Sequence, residues 1–357
     1  KALLTFPVVT AAMVVDENGP KDEQFIDMLS DVASRGASFF NYESDTVDSL
    51  ASCCRLRNEL QDNTFSYSLG AGGTQSGSLN VITINMNRLV QNAKKENKDI
   101  YTLLKEQVEK IHKYHTATKE VFKQFLNANM LDAYKEGYID MNKQFMTVGI
   151  NGVLEAAEFM GYTANNNEEY KKFTASLLKV IYDTNKEDRK KYGIMWNCEF
   201  VPAENLGVKN YNWDKQDNYW IPSDTNLYAS YVFKPNDKSV TILDKLTLHG
   251  KNYIGDHLDG GVACHINLAE HPTYEQCKKL MKFAAEEGCQ YFPFNIPNSE
   301  CRECGWIGKR PVDACPKCGS HHIDLYDRII GYLTRIRNWA DSRKIEQTKR
   351  IYSKVGV

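Results

Sequence analysis

Cys301-Arg302-Glu303-Cys304 and Cys315-Pro316-Lys317-Cys318-Gly319, followed by Asp327-Arg328-Ile329-Ile330-Gly331-Tyr332-Leu333, are the stretches on which the reading of this chain turns. Each Cys-x-x-Cys pair forms a knuckle, because two intervening residues let both sulfurs point into one site. A following glycine frees backbone amides to turn toward sulfur. Ten residues separate the two knuckles. Four thiolates suit a tetrahedral Zn2+, and a closed four-sulfur shell leaves no open catalytic position. The spacing predicts a structural zinc site at Cys301, Cys304, Cys315 and Cys318. Nothing else in the sequence supports a redox role for the pairs. His321 and His322 follow a shell that is already full, so they are expected at the surface or behind the ligands.

Gly331 stands thirteen residues after Cys318. A lone glycine among apolar residues usually marks a turn or close packing. Its chemistry allows more. A radical at a glycine Cα is stabilised by the amide nitrogen on one side and the carbonyl on the other. Both overlap fully only if the centre is planar, and a Cβ would hinder that planarity.

Outward from this region, the chain alternates strand and helix signals. Phe25, Met28, Leu29, Val32 and Ala33 recur at helical spacing over 21–36. Cys53 and Cys54 interrupt the pattern, and a small-residue loop from Leu69 to Ser78 precedes a strand-like run from Leu79 to Asn85. Residues 99–137 predict one or two amphipathic helices with a solvated charged face. Met146–Gly152 reads as a strand and turn feeding a helix that holds Glu155, and 165–191 as another helix. Residues 206–226, polar and aromatic, read as a long loop or hairpin. A helix is expected over Thr273–Gly288, after a turn at Gly260-Gly261. The opening apolar run Ala2–Thr10 reads as a strand entering mid-fold, as in a fragment or one piece of a split protein. Alternating strands and helices predict an α/β, barrel-like fold.

The 357 residues are 42% hydrophobic and 25% charged, with a formal net charge of -2. That balance carries no basic footprint for gripping nucleic acid. No stretch approaches a membrane span. Ten cysteines, four of them clustered and two adjacent, do not form an evenly spread disulfide framework, so a reducing cytoplasmic setting is expected.

An Arg-x-x-Gly-Tyr run near the C-terminus, here Arg328 to Tyr332, resembles the glycyl-radical enzymes. Preceded by four clustered cysteines and followed by a tail of 26 residues, it resembles the anaerobic (class III) ribonucleotide reductases in particular. The resemblance covers essentially the whole chain from Thr5. It implies the C-terminal half of a ten-stranded α/β barrel over 1–296, a zinc module over 297–320 and a glycyl-radical segment over 321–357. Ser52-Cys53-Cys54-Arg55 falls where the family carries its finger-loop cysteine, which makes Cys54, next to Arg55, the implied thiyl carrier and Cys53 the alternative. Adjacent cysteines are otherwise often just small buried hydrophobes. Pro202, Ala203, Glu204 and Asn205 resemble the loop that receives substrate phosphates at a helix start; an ordinary turn is the alternative. Ser78, Asn80 and Asn85 lie where formate-using members carry an asparagine, and the reductant stays open.

The implied activity is anaerobic reduction of ribonucleoside triphosphates. A separate radical-SAM activating enzyme would install the radical at Gly331, which would pass to Cys54 and then to the ribose. The implied partners are that activating enzyme, the triphosphate substrate, a second copy in a homodimer and a separate N-terminal half carrying the allosteric sites. No membrane or direct nucleic-acid partner is implied. Two rivals stand beside this reading. One is another glycyl-radical enzyme, an acyl-lyase or dehydratase, which would need no zinc. The other is an inactive zinc-ribbon fragment that depends on a partner chain.

Overall fold

The computed structural model describes residues 3, 5, 8–45, 49–51, 57–59, 77–201, 205–329 and 331–355. Strand β1 (Thr10–Asp16) turns into the short β2 (Gly19–Pro20). β1 takes in only the last residue of the apolar run at 2–10, of which Ala2, Leu4, Phe6 and Pro7 lie outside the described residues. Helix α1 (Glu23–Ser34), capped by Asp22, leads to β3 (Phe40–Ser44), which runs parallel to β1. A small antiparallel pair follows, β4 (Ser49–Ala51) and β5 (Arg57–Glu59).

The next third is built of strand–helix repeats. β6 (Gly77–Asn85) is followed by α2 (Met86–Lys95), α3 (Ile100–Asn127) and the single turn α4 (Asp132–Lys135). β7 (Gln144–Asn151) is followed by α5 (Val153–Phe159) and α6 (Glu168–Tyr192), and β8 (Trp196–Phe200) by α7 (Leu206–Gln216). The three strands are parallel, in the order β6-β7-β8, because each crossover contains a helix long enough to return the chain. Alternation sorts their side chains. Met146, Val148, Ile150, Trp196, Cys198 and Phe200 face the helices in one core. Thr147, Asn151, Asn197 and Glu199 take the other face, yet all four are buried. Gly149 on that face admits no side chain, since a Cβ would meet Val201 Cγ2 at 2.3 Å and Thr83 Oγ1 at 2.5 Å.

α8 (Ile242–Leu248), β9 (Ile266–Asn267), α9 (Tyr274–Glu287) and β10 (Tyr291–Asn295) complete the wall. Thr273 begins α9 with a capping box, and Gly288 ends it in the left-handed region at φ 73°. β8 continues into the segment before β9 through Phe200 N to Gly261 O (3.2 Å) and Gly260 N to Cys198 O (2.8 Å). β9 is parallel to β10, and β10 meets β3 antiparallel. The strands thus form an arc from β6 to β1, half of an α/β barrel, with helices on its outside.

Past the wall, β11 (Asn298–Cys301), β12 (Ile307–Gly308), β13 (Ile323–Arg328) and β14 (Leu333–Arg335) form a separate sheet in the order β12-β11-β13-β14. Helix α10 (Asp341–Lys349) ends the regular structure.

Residues 206–226 correct the expectation of a loop, since their first half is α7. Its buried positions are Gly207, Asn210 and Asp214, a polar stripe at helical spacing. An apolar periodicity could not reveal it. Asp214 accepts hydrogen bonds from Asn85, Asn87, Arg88 Nε (2.6 Å) and Tyr228 OH (2.6 Å), and so ties α7 to the end of β6. No helix among the described residues is long and apolar enough to cross a membrane.

Candidate functional site: a four-cysteine centre and the glycine hairpin

Cys301 closes β11, Cys304 follows on the first knuckle, and Cys315 and Cys318 occupy the second. Gly305 and Gly319, each directly after a cysteine, adopt left-handed φ of 66° and 73°. Those turns let Gly305 N and Gly319 N bond back to Cys301 O and Cys315 O at 3.0 and 2.8 Å. The Sγ atoms of Cys301 and Cys318 lie 3.6 Å apart, as do those of Cys304 and Cys315, and all four fall within 4.8 Å of one another. Zn–S bonds of ~2.3 Å in a tetrahedron put sulfurs ~3.8 Å apart, so the four fit one such ion. Lys317 N points at Cys315 Sγ at 3.4 Å. His321 bonds Asp313 O and His322 bonds Glu303, both at the exposed surface, as expected of residues outside the ligand set.

β11 carries the centre into the glycine hairpin. Its register with β13 runs from Cys301↔Ile323 to Asn298↔Tyr326, and β13 pairs with β14 through Arg328↔Leu333. Gly331 lies in the connection between β13 and β14 and is half-buried. Arg328 bonds Gly331 O and reaches Ser38 Oγ at 2.7 Å, while its guanidinium lies 4.9 Å over the Phe40 ring. Burial holds the Arg328 pKa down at about 10. Phe40 stacks on Tyr291 (4.7 Å), and Tyr231 OH donates to Ile329 O at 2.9 Å. The hairpin is therefore seated on the half-barrel beside β3 and β10.

A row of polar side chains crosses the face of β6, β7 and β8 turned away from their helices. Ser78 Oγ meets Thr147 Oγ1 at 2.8 Å, and Thr147 Oγ1 donates to Asn197 Oδ1 at 2.7 Å. Among the described residues Asn197 Nδ2 has no hydrogen-bond partner. Further round, Asn295 Nδ2 donates to His265 Nδ1 at 2.8 Å. Asn85 does not share this row, since its amide is held by Asp214 and its oxygen caps α2 at Arg88 N. Glu155, at the start of α5, is fully buried. Ala229 N donates to its Oε1 at 2.7 Å, and burial raises its pKa to about 8.

Cys53, Cys54, Pro202, Ala203 and Glu204 lie outside the described residues. Asn205 is the N-cap of α7 and makes no side-chain cap bond. The sequence reading missed Tyr231 and Arg350, which hold the hairpin through the carbonyls of Arg328 and Ile329, and missed Thr147, Asn197 and His265. The last three had a legible signal, because each is a polar residue alternating with apolar ones in a buried strand or strand-like run.

The chain matches the family model for anaerobic ribonucleoside-triphosphate reductase over residues 1–352. It belongs to that family. Among curated relatives, the anaerobic ribonucleoside-triphosphate reductase of Escherichia coli is 23% identical over 222 residues, covering 58% of this chain and 30% of that one. The Haemophilus influenzae protein of the same name is 23% identical over 217 residues, or 57% and 30%. A solved anaerobic ribonucleotide reductase superposes with TM-score 0.82 at 27% identity, over 98% of this chain and 55% of that chain. The Thermotoga maritima anaerobic ribonucleotide reductase in complex with dATP and CTP gives 0.78 at 27% identity, over 97% and 56%. The chain spans about a third of the curated relatives' length and about half of those solved structures. The likeness to these solved structures bears out the half-barrel expectation.

Proposed function

We propose that this chain is the radical-bearing part of an anaerobic ribonucleoside-triphosphate reductase, working by glycyl and thiyl radicals. The observation that carries the reading is Gly331 on a hairpin seated against the half-barrel and continuous, through β13 and β11, with the four-cysteine centre. The proposed division is a catalytic half-barrel over 1–296, a zinc module over 297–320 and a glycyl segment over 321–357.

A radical-SAM activating enzyme takes one hydrogen atom from the Gly331 Cα, the hydrogen passing to the deoxyadenosyl fragment of its S-adenosylmethionine. Gly331 then regains a hydrogen from the Cys54 thiol, with Cys53 the alternative, and leaves a thiyl. Sulfur is suited to the next step because its S–H bond is close in strength to an activated ribose C–H. The thiyl removes the 3′ hydrogen, the 2′ hydroxyl leaves as water, and two electrons from an external reductant together with two protons complete the reduction at C2′. The 3′ hydrogen then returns from the thiol. The protein holds these atoms close together and away from water. Cys301, Cys304, Cys315 and Cys318 would hold Zn2+, which would crosslink the end of β11, the strand that pairs with β13 of the hairpin. The segment Pro202–Asn205, leading into α7, is the proposed seat of the substrate phosphates; that a relative was solved with dATP and CTP supports nucleotide binding in this fold. The activating enzyme, a second copy and a separate N-terminal half are the proposed partners, and the cytoplasm the proposed setting. Anaerobic activation of the native protein, followed by electron paramagnetic resonance and a deoxynucleotide assay, tests the reading. A radical dependent on Gly331 with product formation supports it, and product without any radical overturns it.

A further inference from the structure

The segment after β14 returns to the hairpin and grips it. Trp339 packs on Ile329 and donates from Nε1 to Thr334 Oγ1 at 2.8 Å. α10 brings Arg343 to Ser230 Oγ (3.0 Å) and Glu346 beneath the hairpin. Arg350, directly after α10, is 5% exposed as a residue, and its side chain is fully buried. Its Nη1 donates to Arg328 O at 2.7 Å, and its Nη2 to Ile329 O at 3.2 Å. The same guanidinium reaches Glu346 Oε1 from Nε (3.0 Å) and Nη2 (2.7 Å), and Asp327 Oδ2 from Nη1 (3.5 Å). Asp327 is held again by Tyr352 OH at 2.6 Å.

The far side of the grip is the barrel wall. Ile351 N bonds Pro235 O (2.8 Å), Ser353 N bonds Asn267 O (2.9 Å), and Ala269 N bonds Ser353 O (3.0 Å). Ser353 thus pairs in parallel beside Leu268, directly after β9. Arg350 joins this wall-bound tail to the hairpin, alongside the Tyr231–Ile329 and Arg328–Ser38 bonds, and a guanidinium's planar fork suits it to hold two carbonyls and two carboxylates together. The two carbonyls belong to the residues immediately before the hairpin turn, two and three positions from Gly331.

We propose that Arg350 is a positioning residue for the radical glycine: it clasps the hairpin to the barrel in the state that exchanges hydrogen with the thiol, and release of this clasp frees Gly331 for the activating enzyme. The inference rests on the radical reading above, but the clasp itself can be measured without a radical. A glycine presented to a second enzyme must leave the barrel, whereas hydrogen transfer to an internal thiol demands that it stay.

The test uses the native, unactivated protein and its Arg350→Gln, Arg350→Lys and Tyr352→Phe variants. Amide hydrogen exchange over 328–335 should quicken at least about tenfold in Arg350→Gln, with Tyr352→Phe intermediate and exchange in α3 and α6 unchanged. After anaerobic activation, Arg350→Gln should form at least as much radical as wild type while kcat drops and KM is kept. Arg350→Lys should recover part of kcat. Unchanged exchange over 328–335 overturns the clasp whatever happens at Gly331. Radical yield and turnover falling together overturn the positioning role, because that is what simple loss of structure produces. Should Arg350→Gln fail to fold, Tyr352→Phe carries the same comparison, with exchange as in wild type counting against the proposal. A wild type that forms no radical sinks the functional reading, and the exchange data then decide the clasp alone.

Discussion

Replacing Glu155 with Gln should remove a specific pH dependence from the stability of the half-barrel. Glu155 is fully buried, burial lifts its pKa to about 8, and an ordinary glutamate has 4.5. The folded state therefore keeps a proton that the unfolded chain gives up above pH 4.5. Between those values the native protein binds more protons than the unfolded one, so stability falls as pH rises. The contribution is fully present below 4.5 and is lost as pH climbs through 8. At ~1.36 kcal/mol per unit, and with the slope easing as the group titrates near each end, the interval from pH 5 to pH 8 removes about 3.5 kcal/mol. Gln keeps the acceptor for Ala229 N and cannot ionise. Residue 155 lines, with Asp224 and Lys234, a cavity of about 40 Å3, room for one water. Urea unfolding of wild type and Glu155→Gln at pH 5 and pH 8 measures the effect. The variant should match wild type within ~1 kcal/mol at pH 5 and exceed it by several at pH 8. Equal pH slopes in the two proteins would refute the assignment of a neutral, buried carboxyl.

Three further outcomes are expected. Serine at any one of Cys301, Cys304, Cys315 or Cys318 should cut bound zinc below about one ion per chain and loosen the hairpin, since β11 starts its pairing with β13 at Cys301; metal analysis showing full retention in all four variants would contradict the site. Cys54→Ser should still form the glycyl radical yet abolish nucleotide reduction, because serine gives no comparable radical, while Cys53→Ser should be mild. If the two phenotypes are exchanged, the thiyl role moves to Cys53. Air exposure of activated protein should cut the chain at Gly331 and release a peptide of about 26 residues, which mass spectrometry would detect.

The parts of the fold that were legible in the sequence are those in which one face is apolar and the other wet. α1, α3, α6 and α9 carry their buried side chains at helical spacing, and the caps Asp22, Thr273 and Gly288 sit where the pattern begins or ends. The cysteine centre was legible because spacing alone brings four sulfurs together. α7 was not, because it buries Gly207, Asn210 and Asp214 for hydrogen bonding and close approach. Nor were β3 and β10, which are buried on both faces and so show no alternation that separates them from a buried helix. The clasp was hidden for a different reason. Arg343, Glu346 and Arg350 look like the charged face of a short solvated helix, and only the tertiary structure turns them inward under the hairpin.

The central claim is that Gly331 carries the radical that starts ribonucleotide reduction. Electron paramagnetic resonance of anaerobically activated native protein, grown with ordinary glycine and with glycine deuterated at Cα, tests it most directly. One hydrogen on a glycyl Cα splits the signal into a doublet, and deuterium collapses it. We expect that doublet, its collapse, its absence in Gly331→Ala, and deoxynucleotide formed only when it is present. A signal that survives in Gly331→Ala, or reduction that proceeds in that variant, would contradict the claim.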